Sequence, residues 1–155
     1  MANVTIRLSP PVEFILRQSG AFRRSLDNLE PLWDRLKPVM SEIEQEQFES
    51  HGHGDWPPLA ESTLRYKQGP DMMVESGDLK SSLVDPGRAA ESGPRQMVWS
   101  TDVPYAHYHQ EGGSVPGRPP QRVVLEVRTE DRQGKIEPSV VRWVNEVAAR
   151  TWGAI

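Results

Sequence analysis

Residues 22–43 read FRRSLDNLEPLWDRLKPVMSEI. Phe22, Leu26, Leu29, Trp33, Leu36, Met40 and Ile43 recur at spacings of four and three residues, one apolar stripe along a helix. Leu32 and Val39 widen the stripe, and Pro31 and Pro38 interrupt it. Proline is accepted in a first helical turn, where the N–H it lacks would be unbonded anyway. In mid-helix it removes a hydrogen bond and crowds the preceding turn. The pattern predicts a break near Glu30, a shorter helical segment over Arg17–Glu30, and a main helix over 31–49 kinked at Pro38.

Toward the N-terminus, NVTIRLS (3–9) alternates Val4, Ile6 and Leu8 with polar residues, as a half-buried strand does, and Pro10 and Pro11 end it. Toward the C-terminus, SHGHGDWPP (50–58) is turn chemistry throughout, and LAESTLRY (59–66) reads as a short amphipathic helix. QGPDMM is a break; ESGDLKSSLV (75–84) fits a short helix or the start of a strand; DPGRAAESGPR (85–95) reads as a loop. QMVWSTDV (96–103) is a strand with Met97 and Trp99 opposed to Val98. GGSVPGRPPQ (112–121) is a Gly/Pro-rich excursion, RVVLEVR (122–128) a strand, and Glu137–Trp152 a helix through Val140, Val141, Val144, Val147 and Ala148. Strand, helices, strands, helix is the order of an α+β fold. A long N-terminal helical segment and a C-terminal helix pack on a small antiparallel sheet, with extended Gly/Pro-rich loops, in a single domain over 1–155.

Composition narrows the function. At 155 residues the chain can bury one core, yet only 36% is apolar, and 14 Pro with 12 Gly imply long loops or arms. A net charge of −4, with both signs interspersed, offers no broad cationic face for phosphates. The absence of cysteine removes thiolate catalysis, disulfides and cysteine-based zinc sites. No apolar run is long enough to span a membrane, and MANVTIRLSPP lacks the regions of a signal peptide, so synthesis in a reducing cytoplasm is expected.

Two His-x-His pairs, His51/His53 and His107/His109, could surround a metal with Asp55 or Glu111. The first lies in a Gly-rich loop, and the second fits a helix, where positions i and i+2 diverge. GGSVPG is not a nucleophile elbow, because proline-rich loop follows it. Glu42, Glu44 and Glu46 read as a solvated helix face. Arg118, Arg122 and Arg128 flank the Gly/Pro segment and Arg23/Arg24 open a helix, a set compatible with facing DNA; Trp33, Trp99 and Trp143 occupy core positions rather than stacking platforms. We expect no enzyme, no cofactor and no metal.

Four segments taken in order carry a resemblance: DWPPLAESTLRYK after a helix ending in QFES and a Gly-rich turn, then MVESGDLKSSL, then VPYAHYHQEGG, then PGRPP. Over 47–120 the chain resembles the phage virion morphogenesis family, the tail completion or head–tail joining proteins of Mu-like tailed phages. The matching positions are Trp56, Pro58, Leu59, Thr63 and Lys67; Val74, Ser76, Gly77, Leu79 and Ser82; Tyr105, Ala106, His109, Gln110 and Gly112; and Gly117, Arg118 and Pro119. Pro120 and Gln121 stand where the family often has a bulky apolar residue.

The resemblance implies a non-enzymatic virion protein in the neck, assembled as a homo-oligomeric ring, a hexamer, around the DNA channel. Its partners would be neighbouring connector proteins and the tail tube or terminator, with non-specific proximity to channel DNA and no membrane. VPYAHYHQEGG then becomes a structural corner beside an interface loop, with 50–58, 85–95 and 112–121 reaching neighbours. A tail terminator capping the tube is the nearest alternative. A metal-dependent hydrolase using the histidines and a DNA-binding accessory protein are the others.

Overall fold

The computed structural model describes residues 3–6, 20–67, 72–73, 76–113 and 119–152. The fold is α+β. Strand β1 (Asn3–Ile6) is followed by helices α1 (Gly20–Leu26), α2 (Glu30–Glu49), α3 (Glu61–Tyr66), α4 (Asp78–Val84) and α5 (Pro86–Ala89). The hairpin β2 (Ala90–Gly93) and β3 (Gln96–Ser100) comes next, then α6 (Ala106–Glu111). A turn of helix, α7 (Thr129–Asp131), runs through a π-helical turn (Arg132–Ile136) into α8 (Glu137–Trp152).

The break expected near Glu30 is present. The Asn28 side-chain oxygen accepts from the Glu30 N–H, and Pro31 sits in the first turn of α2. Pro38 lies inside an unbroken α2. Leu32, Trp33, Leu36, Met40 and Ile43 are buried along one face, with Phe22, Leu26 and Leu29 continuing the stripe through α1. Each such side chain contributes about 1.5–3 kcal/mol by leaving water.

The sheet has the order β1-β3-β2 and is antiparallel throughout. Met97 and Trp99 of β3 are fully buried and Val98 is half-exposed, as the alternation requires. Two indoles tie the sheet to the helices. Trp33 Nε1 donates to the Gly93 carbonyl at 2.9 Å, and Trp99 Nε1 donates to the Leu83 carbonyl at 3.1 Å. The Leu29 N–H donates to Pro94 O at the hairpin tip, 2.7 Å away. Helix α8 packs on α1 and α2 through Trp143 and Val147, and Arg35 of α2 forms a two-pronged ion pair with Glu146.

Several expectations are corrected. Residues 85–95, read as a loop, contain α5 and β2; AESG has no apolar alternation because β2 is an edge strand with little to bury. Residues 75–84 resolve to helix rather than strand over Asp78–Val84. RVVLEVR, expected as a strand, is irregular, bends at Leu125 and joins no sheet. Glu44 does not belong to the solvated face of Glu42 and Glu46. It turns inward and is fully buried, while its two neighbours meet Lys135 of the π turn at 3.6 and 2.6 Å.

Candidate functional site

Two of the segments carrying the sequence motifs, at Trp56–Pro58 and at His109–Gly112, converge on residues 119–128, which cross the end of α2 as irregular chain with a bend at Leu125. Gln110, on α6, is the clamp. Its Oε1 accepts from the N–H groups of Val124 and Leu125, at 2.9 and 3.1 Å, and its Nε2 donates to Leu125 O at 3.1 Å. A carboxamide offers both an acceptor and a donor, so one side chain replaces the edge of a β-partner. The Arg122 N–H donates to His109 O at 2.8 Å, completing the seam.

From the other side, Gln47 Nε2 and Trp56 Nε1 both donate to Val123 O, at 2.7 and 2.9 Å. Arg122 points back. Its guanidinium donates to the Pro57 carbonyl at 3.0 and 2.9 Å and to the Pro58 carbonyl at 3.1 Å, and the residue is only 4% exposed. Burial lowers the guanidinium pKa from its ordinary value. Gln47 is not among the residues the sequence marks out, and Arg122, read there as a cation that could face DNA, is instead turned inward onto the Pro57 and Pro58 carbonyls. Gln47 continues the Met40–Ile43 spacing onto the buried face, which is the signal that could have found it.

The Gly-rich turn has an unusual backbone. His51, Gly52, His53 and Gly54 all have positive φ, at 53°, 66°, 55° and 88°. The left-handed run is closed by Gly54 N–H to Ser50 O and Trp56 N–H to His51 O. It delivers Trp56, 5% exposed, edge-on to Phe48 with ring centroids 5.6 Å apart. Trp56 therefore covers Gly52 and meets residue 123, rather than covering the helix after Leu59. Helix α3 buries no side chain: Leu64 is 55% and Tyr66 86% exposed.

The remaining motif residues are placed as follows. Leu59 is half-buried ahead of α3, Thr63 lies exposed within it, and the Lys67 N–H caps the Thr63 carbonyl. Ser76 Oγ accepts from Asp78 N–H, and Gly77, at φ 76°, precedes α4. Leu79 is core, and Ser82 shares a 2.6 Å hydrogen bond with Thr101 inside it. Ala106 is buried; Tyr105, 41% exposed, stands edge-on to His109 with ring centroids 6.3 Å apart. Gly112 has φ 63°, and a Cβ there would meet Gln121 N at 2.5 Å. Pro119 lies in irregular chain ahead of Gln121; Val74, Gly117 and Arg118 lie outside the described residues.

The histidines do not converge. His107 and His109 lie on helix α6, and the His107 ring hydrogen-bonds Pro104 O. Burial, with Arg122 beside it, holds the His109 imidazole below its ordinary pKa, and its Nδ1 is buried without a partner among the described residues. Among those residues no group of three or more His, Asp or Glu is arranged to hold a metal. Arg128 is also committed internally, to Gly52 O at 3.1 Å and Asp55 at 2.5 Å. Comparison with protein-family models, with characterised proteins and with solved structures gives no match for this chain.

Proposed function

We propose that the chain is a structural virion protein of a tailed bacteriophage, acting in the neck in tail completion and head–tail joining. In this reading it forms a homo-oligomeric ring, a hexamer, around the DNA channel, between connector proteins and the tail tube or terminator. It is not an enzyme and takes no cofactor.

The supporting observation is the Gln110 clamp. Among the motif residues, Gln110, His109, Trp56 and Pro58 bond to the 119–128 segment, and Gly112 packs against it. Polar residues that an active site would aim at a substrate are here spent on the chain's own backbone. A ring former needs this: a rigid body from which an arm leaves at a set angle, so that little entropy is lost on docking. In this reading the Gly/Pro stretch at 112–121 supplies that arm; its residues 114–118 lie outside the described residues.

The test is electron microscopy of lysates from a phage with this gene deleted in frame. Full heads beside finished, unattached tails are expected. Tubes of irregular length would make the protein a terminator instead, and joined, infectious particles would overturn both readings.

A further inference from the structure

Beyond the clamp, the segment after Leu125 runs alongside the left-handed turn, and between them lies an open groove of about 620 Å3. Asp55 and Trp56 form one wall; Glu126, Val127, Arg128 and Glu130 form the other. The backbone changes character along this wall. Up to Leu125 five of its polar groups are taken: the N–H of Arg122, Val124 and Leu125 and the carbonyls of Val123 and Leu125, by His109, Gln110, Gln47 and Trp56. At Glu126 and Val127 neither N–H nor carbonyl has a hydrogen-bond partner among the described residues, and the Arg128 N–H has none either. The Arg128 carbonyl is taken by the Arg132 N–H, which ends the exposed edge.

A short stretch outside any helix or sheet, with unpaired backbone donors and acceptors and extended dihedrals at Arg128 (φ −73°, ψ 161°), is a template for one more strand. The groove also has a sign. Asp55, Glu126 and Glu130 bring three carboxylates against the single guanidinium of Arg128, which already contacts Asp55 at 2.5 Å and Glu126 at 3.5 Å. The surplus negative charge repels phosphate and favours an ammonium or guanidinium group. Trp56 and Val127 supply an apolar contact for the residue between two such cations.

We propose that this groove accepts an extended segment of another protein chain that carries lysine or arginine at alternate positions and adds as a strand along Glu126–Arg128. The strand's backbone bonds the Glu126 N–H and carbonyl and the Arg128 N–H, which share one edge of an extended chain, and its basic side chains meet Asp55, Glu126 and Glu130. This stands apart from the neck reading, because the groove is present in the single chain.

The experiment titrates the 15N-labelled full chain with the peptide acetyl-VKVKV-amide and follows amide shifts and hydrogen exchange. Shifts at Glu126, Val127 and Arg128, with slowed exchange at Glu126 and Arg128, are expected. The charge-reversed peptide acetyl-VEVEV-amide should bind at least about tenfold more weakly, as should Glu130→Lys with the original peptide. The two-peptide comparison uses the unaltered protein, so it stands even if a variant misfolds. No response at those amides up to millimolar peptide overturns the proposal. Equal binding of both peptides, or displacement by a single-stranded oligonucleotide with the same shifts, overturns it too.

Discussion

The indole of Trp56 covers Gly52 so closely that a Cβ added to Gly52 would lie 2.3 Å from both Cδ1 and Nε1. Gly52 also has φ 66°, whereas Gly54, at φ 88°, has nothing within 4 Å of such a Cβ. The pair separates backbone strain from collision. Left-handed backbone costs an L-residue about 1–2 kcal/mol, and overpacking adds about 1–3 kcal/mol. Gly54→Ala should therefore lose about 1 kcal/mol and Gly52→Ala about 3 kcal/mol in urea unfolding. Equal losses would show that Trp56 moves aside without cost.

Gln110 gives a second, sharper test. Val124 and Leu125 are 0% and 4% exposed, so their backbone groups have no water to turn to once the carboxamide is gone. Gln110→Ala leaves two N–H groups and one carbonyl unpaired, a loss of about 2–4 kcal/mol. Exchange of the Val124 and Leu125 amides should accelerate more than that of the β3 amides. Uniform acceleration would mean the clamp contributes only to global stability.

The contrast between these elements explains what could be read from the residues alone. Helix α8 spans Glu137–Trp152 as its apolar spacing and Pro138 require, and α2 begins one residue from the expected start. Both are held by packing, and packing leaves a periodic trace. RVVLEVR has the trace of a strand but pairs with side chains: Gln110, Gln47 and Trp56 lie 14, 76 and 67 residues from their backbone partners. A polar side chain bonding distant backbone has no spacing rule. The left-handed backbone at His51 and His53 is likewise invisible, since only a few per cent of non-glycine residues adopt it, even with histidine among the more tolerant. Glu44 was misread because its neighbours Glu42 and Glu46 are solvated, and i and i+2 point to opposite sides of a helix.

His109 should make the fold sensitive to acid. Burial, then the Arg122 charge, holds its pKa below the ordinary 6.5. Above pH 6.5 the imidazole is neutral in both states and its contribution is complete. As the pH falls further, the unfolded chain takes up a proton that the folded chain refuses, and the contribution is lost through the folded-state pKa. His109→Gln should flatten the fall in urea midpoint between pH 7 and pH 5. An NMR titration of the His109 ring should show a midpoint below 6.5. A midpoint above it would place a carboxylate, not Arg122, beside the ring.

Glu44 acts with the opposite sign. It is fully buried on α2, both carboxylate oxygens lack a partner among the described residues, and burial, reinforced by Asp131, raises its pKa well above 4.5. The nearby cation, Lys135, is spent on Glu46, Glu42 and Asp131. Below pH 4.5 Glu44 is protonated whether folded or not and costs nothing electrostatic. As the pH rises, the unfolded chain releases the proton and the folded chain keeps it, so stability falls by about 1.4 kcal/mol per pH unit until the folded-state pKa is reached. Glu44→Met keeps the volume and removes the titration. It should exceed the parent in stability by a margin that widens from pH 5 upward, read from urea unfolding at pH 5, 6, 7 and 8. The His109 effect runs the other way over the lower part of this range, so the comparison is made in the His109→Gln background. Parallel curves for the two chains would mean that Glu44 ionises in place with a partner, and that its burial carries no pH dependence.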